Sequence, residues 1–384
     1  MIHFQSSKKT LTILVLFLLQ FCVANAQYEE AEADFKKVMD RFSAVGASVA
    51  VVKEGKIIYT HSFGWKDLEN QTQLTDTDIF RIASISKSFS ATSVMQLVES
   101  GQLSLEDDFG DLVGFKIRNP KFPDQKITLK MALSHTSSLN DSQGYLNLDL
   151  INPAKNPDYA KCYNNYEPGK GYQYCNLNFN LIGTIIEKKS GERFDRYVEN
   201  HILKPLNLYG GYCVDSLDST RFVKLYEYHN NKKNFTLSPA AYAPRREEIK
   251  NYVMGYSTPV FSPTGGMKIS TTDLAKYMIM HMNYGTGNGV KIISKKHAKL
   301  MQTKITEEEE YGLALRQASK LIPNVKLVGH TGSAYGLYST MFFNPKKKFG
   351  FVIITNGINA TYTGDFPDFT VAAINTLYNH FIKK

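Results

Sequence analysis

Apolar residues recur at helical spacing over residues 30–44, which predicts an amphipathic helix. The pattern then changes to A-S-V-A-V-V-K-E-G-K-I-I-Y-T-H-S-F-G, two β-rich runs joined at Glu54-Gly55, a hairpin signal. Helical spacing returns in S-F-S-A-T-S-V-M-Q-L-V-E-S-G, with Gly101 as the stop, and again over 128–135 and 176–190. In the last of these, Leu177, Leu181, Ile182, Ile185 and Ile186 share one face. T-D-L-A-K-Y-M-I-M-H-M, after Thr271, predicts a further helix. Two β-rich runs follow, L-V-G-H-T-G and Y-S-T-M-F-F-N-P-K-K-K-F-G-F-V-I-I-T, with a turn at N-P-K-K-K-F-G. A-A-I-N-T-L-Y-N-H-F-I closes the chain as a helix.

Strands therefore gather at both ends of the chain and helices in the middle. Neither end holds enough strands for a sheet of its own. A single sheet drawing on both ends, with the helical middle as a second lobe, satisfies the pattern, and hairpin connections make that sheet antiparallel. The expected fold is α/β with an all-α lobe: an antiparallel β-sheet flanked by helices. The expected division is a sheet lobe over about 27–95 and 255–384 and a helical lobe over about 96–254, forming one catalytic domain over 27–384. The spans 140–175 and 212–262, rich in Asn, Asp, Tyr and Pro, read as long loops. There are no internal repeats and no low-complexity tract.

Residues 1–26 read as a secretory signal: Lys8 and Lys9, an apolar run, then Ala24 and Ala26 ahead of Gln27. The run is too short for a stable membrane span. The expected location is periplasmic or secreted, with a mature start near Gln27. Losing Lys8 and Lys9 and no acid takes the net charge from +9 to +7. The bases are dispersed, with no basic stripe interleaved with aromatics, so nucleic acid is not an expected partner. The mature chain keeps Cys162, Cys175 and Cys213. One disulfide, with Cys162 and Cys175 bracketing a single loop, and three buried thiols both fit an exported chain. The cysteine spacing matches no zinc signature, so neither a metal nor a cofactor is expected.

Three short segments hold candidate chemistry. In F-R-I-A-S-I-S-K-S-F-S-A, Ser84 and Lys87 lie three apart at a helix start and share a face. Ser84 is either a helix cap or a nucleophile whose proton Lys87 takes; the second role needs a lysine whose pKa is lowered. In Y-Q-Y-C-N, Tyr174 and Asn176 precede the helix over 177–190; Tyr174 as a base needs cationic neighbours to lower its phenol. In V-G-H-T-G-S-A-Y-G, His330, Thr331, Gly332 and Ser333 lie near a strand end, where glycine admits close approach of a ligand.

The order S-I-S-K, Y-C-N, H-T-G resembles the three motifs of the serine β-lactamase and penicillin-binding-protein superfamily. Flanks such as D-I-F-R-I-A-S-I-S-K-S-F, L-S-H-T-S-S-L, L-I-G-T-I-I-E-K-K-S-G and G-G-M-K-I-S-T-T-D-L-A-K resemble its class C-like branch, from about residue 45 to 357. The resemblance implies a β-lactamase/DD-peptidase-like fold and assigns roles. Ser84 forms the acyl-enzyme, Lys87 accepts or relays its proton, and Tyr174 acts as general base or acid. Asn176 contacts substrate or Lys87, Thr331 and Gly332 line the strand edge, and Ser333 joins Ser84 in an oxyanion hole. His330 stands where many members have lysine, which implies weaker carboxylate binding and pH sensitivity near neutrality. Ser138 replaces a usual glycine and Cys175 a usual serine. No acidic residue sits in a class A deacylation motif, so water activation falls to Tyr174.

The function this implies is an exported serine hydrolase on a cell-wall-type peptide or D-amino-acid amide, DD-carboxypeptidase-like. An esterase or acyltransferase and a weak β-lactamase are the alternatives, with a cell-wall fragment, ester or β-lactam as the partner molecule of a monomer. Arg245 and Arg246 are candidates for a substrate carboxylate. Tyr145, Tyr163, Tyr166, Tyr172, Tyr226 and Tyr242 are candidates for an aromatic pocket lining.

Overall fold

A helix over 27–41 (α1) leads into β1 (Gly46–Lys53), β2 (Lys56–Asp67) and the short β3 (Thr72–Gln73). The last third of the chain supplies β4 (Arg316–Ile322), β5 (Val325–Ala334), β6 (Leu337–Asn344) and β7 (Phe349–Thr355). In the computed structural model, which describes residues 27–383, these seven strands form one sheet in the order β4-β5-β6-β7-β1-β2-β3. Every pairing is antiparallel. The two ends of the chain meet at the β1–β7 pair, in register from Ala47 opposite Thr355 to Val52 opposite Gly350. The sequence-predicted signal segment lies outside the described residues. Among the described residues no helix is long and apolar enough to cross a membrane.

The central strands read as continuous apolar runs because both sheet faces are covered. Val49 and Val51 of β1 and Phe351 and Ile353 of β7 face one core with Phe35 of α1 and Phe369 and Leu377 of the closing helix Asp368–Phe381. Ala50, Val52, Val352 and Ile354 face the other core, under the helix Thr271–Met282. That second core runs on into the helical part, where Ser86–Glu99 (α2) packs on Asn176–Ser190 (α3). Gly101 takes φ +75° just past α2, the left-handed stop that its position predicts.

The expected helices, the Glu54-Gly55 hairpin and the antiparallel sheet are all present. Several pieces of the sheet region went unread, chief among them strand β4 and the helix Lys295–Gln302, with the short hairpin of Thr286–Gly287 and Val290–Lys291. The span 140–175 is irregular as expected, with single 3₁₀ turns at Leu148–Ile151 and Tyr159–Cys162. The span 212–262 is not all loop: Tyr226–His229 and Asn234–Leu237 pair as a hairpin. Its end is tied to α3 by the buried Glu187, which accepts hydrogen bonds from Gly255 N at 2.7 Å, Thr258 Oγ1 at 2.7 Å and the Tyr252 hydroxyl. That clamp carries the chain into Pro263 and Thr264, beside the site.

Candidate active site

Ser84 sits in a single 3₁₀ turn, Ala83–Ile85, that runs straight into α2. Ala83 takes φ +45°, a conformation costly for any residue but glycine, and so turns Ser84 away from the preceding strand into a cleft. One helical turn on, Lys87 is completely buried. Its Nζ donates to Ser84 Oγ at 3.1 Å, Asn176 Oδ1 at 2.8 Å and the Thr264 carbonyl at 3.0 Å. It also lies 4.7 Å over the Tyr174 ring. Burial brings the amine down to about 7, against a smaller upward pull from Asp141.

Tyr174 precedes α3, and its ring is wedged 4.3 Å from that of His135. Burial pushes its phenol up, with Ser84 close enough to pull it partly back; its hydroxyl has no well-formed hydrogen bond. The direction is opposite to what a standing phenolate needs, so Tyr174 rests as a neutral phenol. His135 ties this loop down: its Nδ1 accepts from Cys175 N at 3.1 Å. Ser138 takes φ +63°, the conformation in which glycine is least strained, and its Oγ accepts from Asn119 at 3.0 Å.

Strand β5 brings the third segment. The β4–β5 register ends at Arg316 opposite Gly329, so residues 330–334 have no strand partner on that side. Gly332 is where this edge meets the serine turn. A Cβ there would lie 2.3 Å from Ile82 O, 2.5 Å from Ser339 Oγ and 3.0 Å from Ser84 N. Ser84, Tyr174, His330, Thr331, Gly332 and Ser333 together line a cleft of about 280 Å³. Lys87 and Asn176 lie beneath its floor.

His330 departs from expectation. Its Nδ1 meets the Thr331 carbonyl, which can only accept, so Nδ1 carries the hydrogen. Nε2 then accepts from the Tyr311 hydroxyl at 2.9 Å. Burial, with Lys87 nearby, brings the imidazole down to about 3. His330 is therefore neutral across the physiological range and is no switch near neutrality. A second cation in its neighbourhood, besides Lys87, is Arg316 of β4, which lines the same cleft. The Arg316 guanidinium pairs with Glu309 at 3.0 Å, and its buried Nε has no partner. An arginine inside the apolar-flanked run Y-G-L-A-L-R-Q-A is a signal that sequence reading passed over.

Three readings left open by the sequence are decided. Cys162, Cys175 and Cys213 are all free buried thiols, so no Cys162–Cys175 bridge holds the Tyr174 loop; the Cys175 thiol instead donates to Asp141 Oδ1 at 3.3 Å. Arg245 and Arg246 are engaged by Glu248 at 3.0 Å and Asp215 at 2.8 Å, on an exposed face. None of the six loop tyrosines lines the cleft; its aromatic wall is Tyr174, Tyr311, Tyr338 and Tyr362. Among the described residues no group of three or more His, Cys, Asp and Glu side chains is placed to hold a metal ion.

A serine turn, a buried amine, a phenol and a glycine-thinned strand edge on this sheet define a protein of the β-lactamase and penicillin-binding-protein type. The chain belongs to the Beta-lactamase family, whose profile matches residues 31–365. It is 27% identical over 336 residues to Protein flp of Staphylococcus aureus (strain MRSA252), covering 83% of this chain and 60% of that protein. It is 29% identical over 253 residues to Penicillin-binding protein 4* of Bacillus subtilis (strain 168), covering 63% of this chain and 49% of that one. The chain thus spans about half to three fifths of these relatives. An octameric penicillin-binding protein homologue from Pyrococcus abyssi superposes with TM-score 0.73 at 25% identity, over 92% of this chain and 77% of that one. D-amino acid amidase from Ochrobactrum anthropi SV3 shares the fold, with TM-score 0.68 at 20% identity over 92% and 99% of the two chains.

Proposed function

We propose that the protein is an exported serine hydrolase that works through an acyl-enzyme on Ser84 and acts on a peptide ending in a free carboxylate, in the manner of a DD-carboxypeptidase. The observation that carries this reading is the buried amine of Lys87, 3.1 Å from Ser84 Oγ and brought down to about 7. At that value much of it is the free base at neutral pH, as a proton acceptor must be. Lys87 takes the proton as Ser84 Oγ bonds to the carbonyl carbon. The N–H groups of Ser84 and Ser333 hold the oxyanion. The carbon–nitrogen bond breaks as Tyr174 gives its proton to the leaving amine, and Lys87 returns a proton to Tyr174. Water then attacks the ester, its proton passing through Tyr174 and Lys87 as the acid product leaves and Ser84 regains its hydrogen.

Arg316 supports the carboxylate. It is the cleft's cation, its Nε is unpartnered, and its partner Glu309 is half exposed. The likeness to a D-amino acid amidase adds amides of D-amino acids as a second acyl donor to test. The pattern of residues 1–26 supports export. The four-tyrosine wall favours the ester alternative enough to include it.

The test is a panel on the chain from Gln27 onward: peptides ending in D-Ala-D-Ala as free acid or amide-capped, D-amino acid amides, p-nitrophenyl esters and nitrocefin. Ser84→Ala is expected to abolish labelling by a fluorophosphonate probe; retained labelling overturns the nucleophile. Arg316→Ala is expected to raise KM on the free-acid peptide about tenfold or more, the worth of a charge-assisted hydrogen bond, and to leave the esters unchanged. An equal loss on esters removes the carboxylate role.

A further inference from the structure

We propose that Asp141 is a positioning residue of this site: its carboxylate orients the amide of Asn176 so that the amide oxygen holds the amine of Lys87 against Ser84. The inference rests on the acyl-enzyme reading above.

Asn176 is the first residue of α3, and the residue before it, Cys175, caps nothing with its side chain. Asp141 reaches in from the irregular span to fill that place. Its Oδ2 accepts from Asn176 N at 2.8 Å, and its Oδ1 accepts from Leu177 N at 3.0 Å. Those two bonds would make it a helix cap and no more. Beside these and the bond from the Cys175 thiol to Oδ1, one more goes further: Oδ2 also accepts from the side-chain Nδ2 of Asn176 at 2.9 Å. A terminal amide has two orientations, and a carboxylate tolerates only the NH₂ side. With Nδ2 fixed on Asp141, Oδ1 must point the other way. There it accepts from Lys87 Nζ at 2.8 Å and from Thr264 Oγ1 at 2.8 Å. Flipped, the NH₂ would face an amine and a hydroxyl, and the oxygen would face the carboxylate.

Charge gives Asp141 a second hold on Lys87. The groups around that amine come from several elements: Ser84 from its turn, Tyr174 and Cys175 ahead of α3, Asn176 and Phe179 on it, His135, His330 from β5, and the Thr264 carbonyl. Burial holds both histidines well below their usual value and the Cys175 thiol well above its own, so all three are neutral. Among the described residues Asp141 is the one carboxylate acting on Lys87, and it favours the protonated amine. Removing its charge makes Lys87 easier to deprotonate even as it frees the amide to turn.

The experiment is the second-order rate of fluorophosphonate labelling of Ser84 from pH 5 to 9. Asp141→Asn is expected to slow the plateau about tenfold or more and to move the acid limb down by about half a pH unit or more. Ser137→Ala is the control: Ser137 Oγ donates to Asn178 Oδ1 at 3.0 Å, so its loss loosens the same helix start without touching charge. Its acid limb is expected to stay in place. A folded Asp141→Asn with the unmodified rate and limb, or a Ser137→Ala limb that moves as far, overturns the proposal. Where Asp141→Asn does not fold, Asp141→Glu decides. It keeps the charge and misplaces it, so the limb stays while the rate falls about tenfold; an unchanged rate overturns the proposal. Absence of labelling in the unsubstituted protein is a different failure, that of the acyl-enzyme reading itself.

Discussion

At the scale of single residues, the site depends on a lysine stripped of water. An ammonium group with no exposed surface and no carboxylate in direct contact loses hydration that three hydrogen bonds only partly restore, and it gives up its proton more readily as a result. The sign of the pH effect follows. Below about 7 the amine is protonated and takes no proton from Ser84; above it the free base dominates. In the plot of kcat/KM against pH we expect an acid limb with its midpoint near 7, and Lys87→Arg, which stays charged, should lower the plateau about a hundredfold or more. A flat profile from pH 5 to 9 would assign the base elsewhere. His330, brought down to about 3, contributes nothing in that window. Its work is to accept from Tyr311 and fill the space beside Tyr174.

At the scale of elements, two features bring the serine turn to the strand edge: the left-handed Ala83 and the bare Gly332. Gly332→Ala sets a methyl 2.3 Å from Ile82 O and 2.5 Å from Ser339 Oγ, and the Ile82 carbonyl is backbone that cannot rotate out of the way. The strand should shift away from Ser84 N, weakening the proposed oxyanion pair. The expected result is acylation slower by about a hundredfold in a protein that still folds, read as labelling rate beside the circular dichroism spectrum. Acylation at the unmodified rate would show that the two segments tolerate separation. Elements also mark how far the sequence could be read. The convergence of Ser84, Lys87, Tyr174, Asn176 and the run His330–Ser333 was legible from the order of their three segments, which resembles a known family; each local signal alone (a helix start, a loop-to-helix junction, a glycine in a strand) is weak. Asp141 and Arg316 were not, because nothing near them in the chain shows what they meet; each reaches its partners only after tertiary approach. The environment of His330 was illegible for the same reason, since its burial comes from Tyr311 and Tyr174 in other segments. Strand β4 escaped notice because its R-Q-A-S-K-L-I pattern is broken by polar residues at a sheet edge, where period-two alternation is weakest.

At the scale of the whole molecule, the sheet closes only when residues some 300 positions apart pair, as Ala47 does with Thr355. The β1–β7 seam has high sequence separation and must be held by what packs over it. On one face that cover is α1 together with the closing helix Asp368–Phe381, which buries Phe369, Ile374, Leu377 and Phe381 against Phe35, Val49, Phe351 and Ile353. Four large apolar side chains at roughly 1.5–3 kcal/mol each contribute about 6–12 kcal/mol. That is as large as the roughly 5–15 kcal/mol by which a folded domain outlasts its unfolded chain. A chain cut after Asp365 should therefore lose the sheet and with it the cleft, although Ser84, Lys87 and Tyr174 all remain. The expected outcome is loss of the uncut chain's elution peak on gel filtration, strong binding of a hydrophobic dye and no probe labelling of Ser84. A truncated chain that elutes as a folded species of the uncut chain's assembly state and labels at the full rate would mean that the cover on the opposite face, from Thr271–Met282, suffices to hold the two ends together.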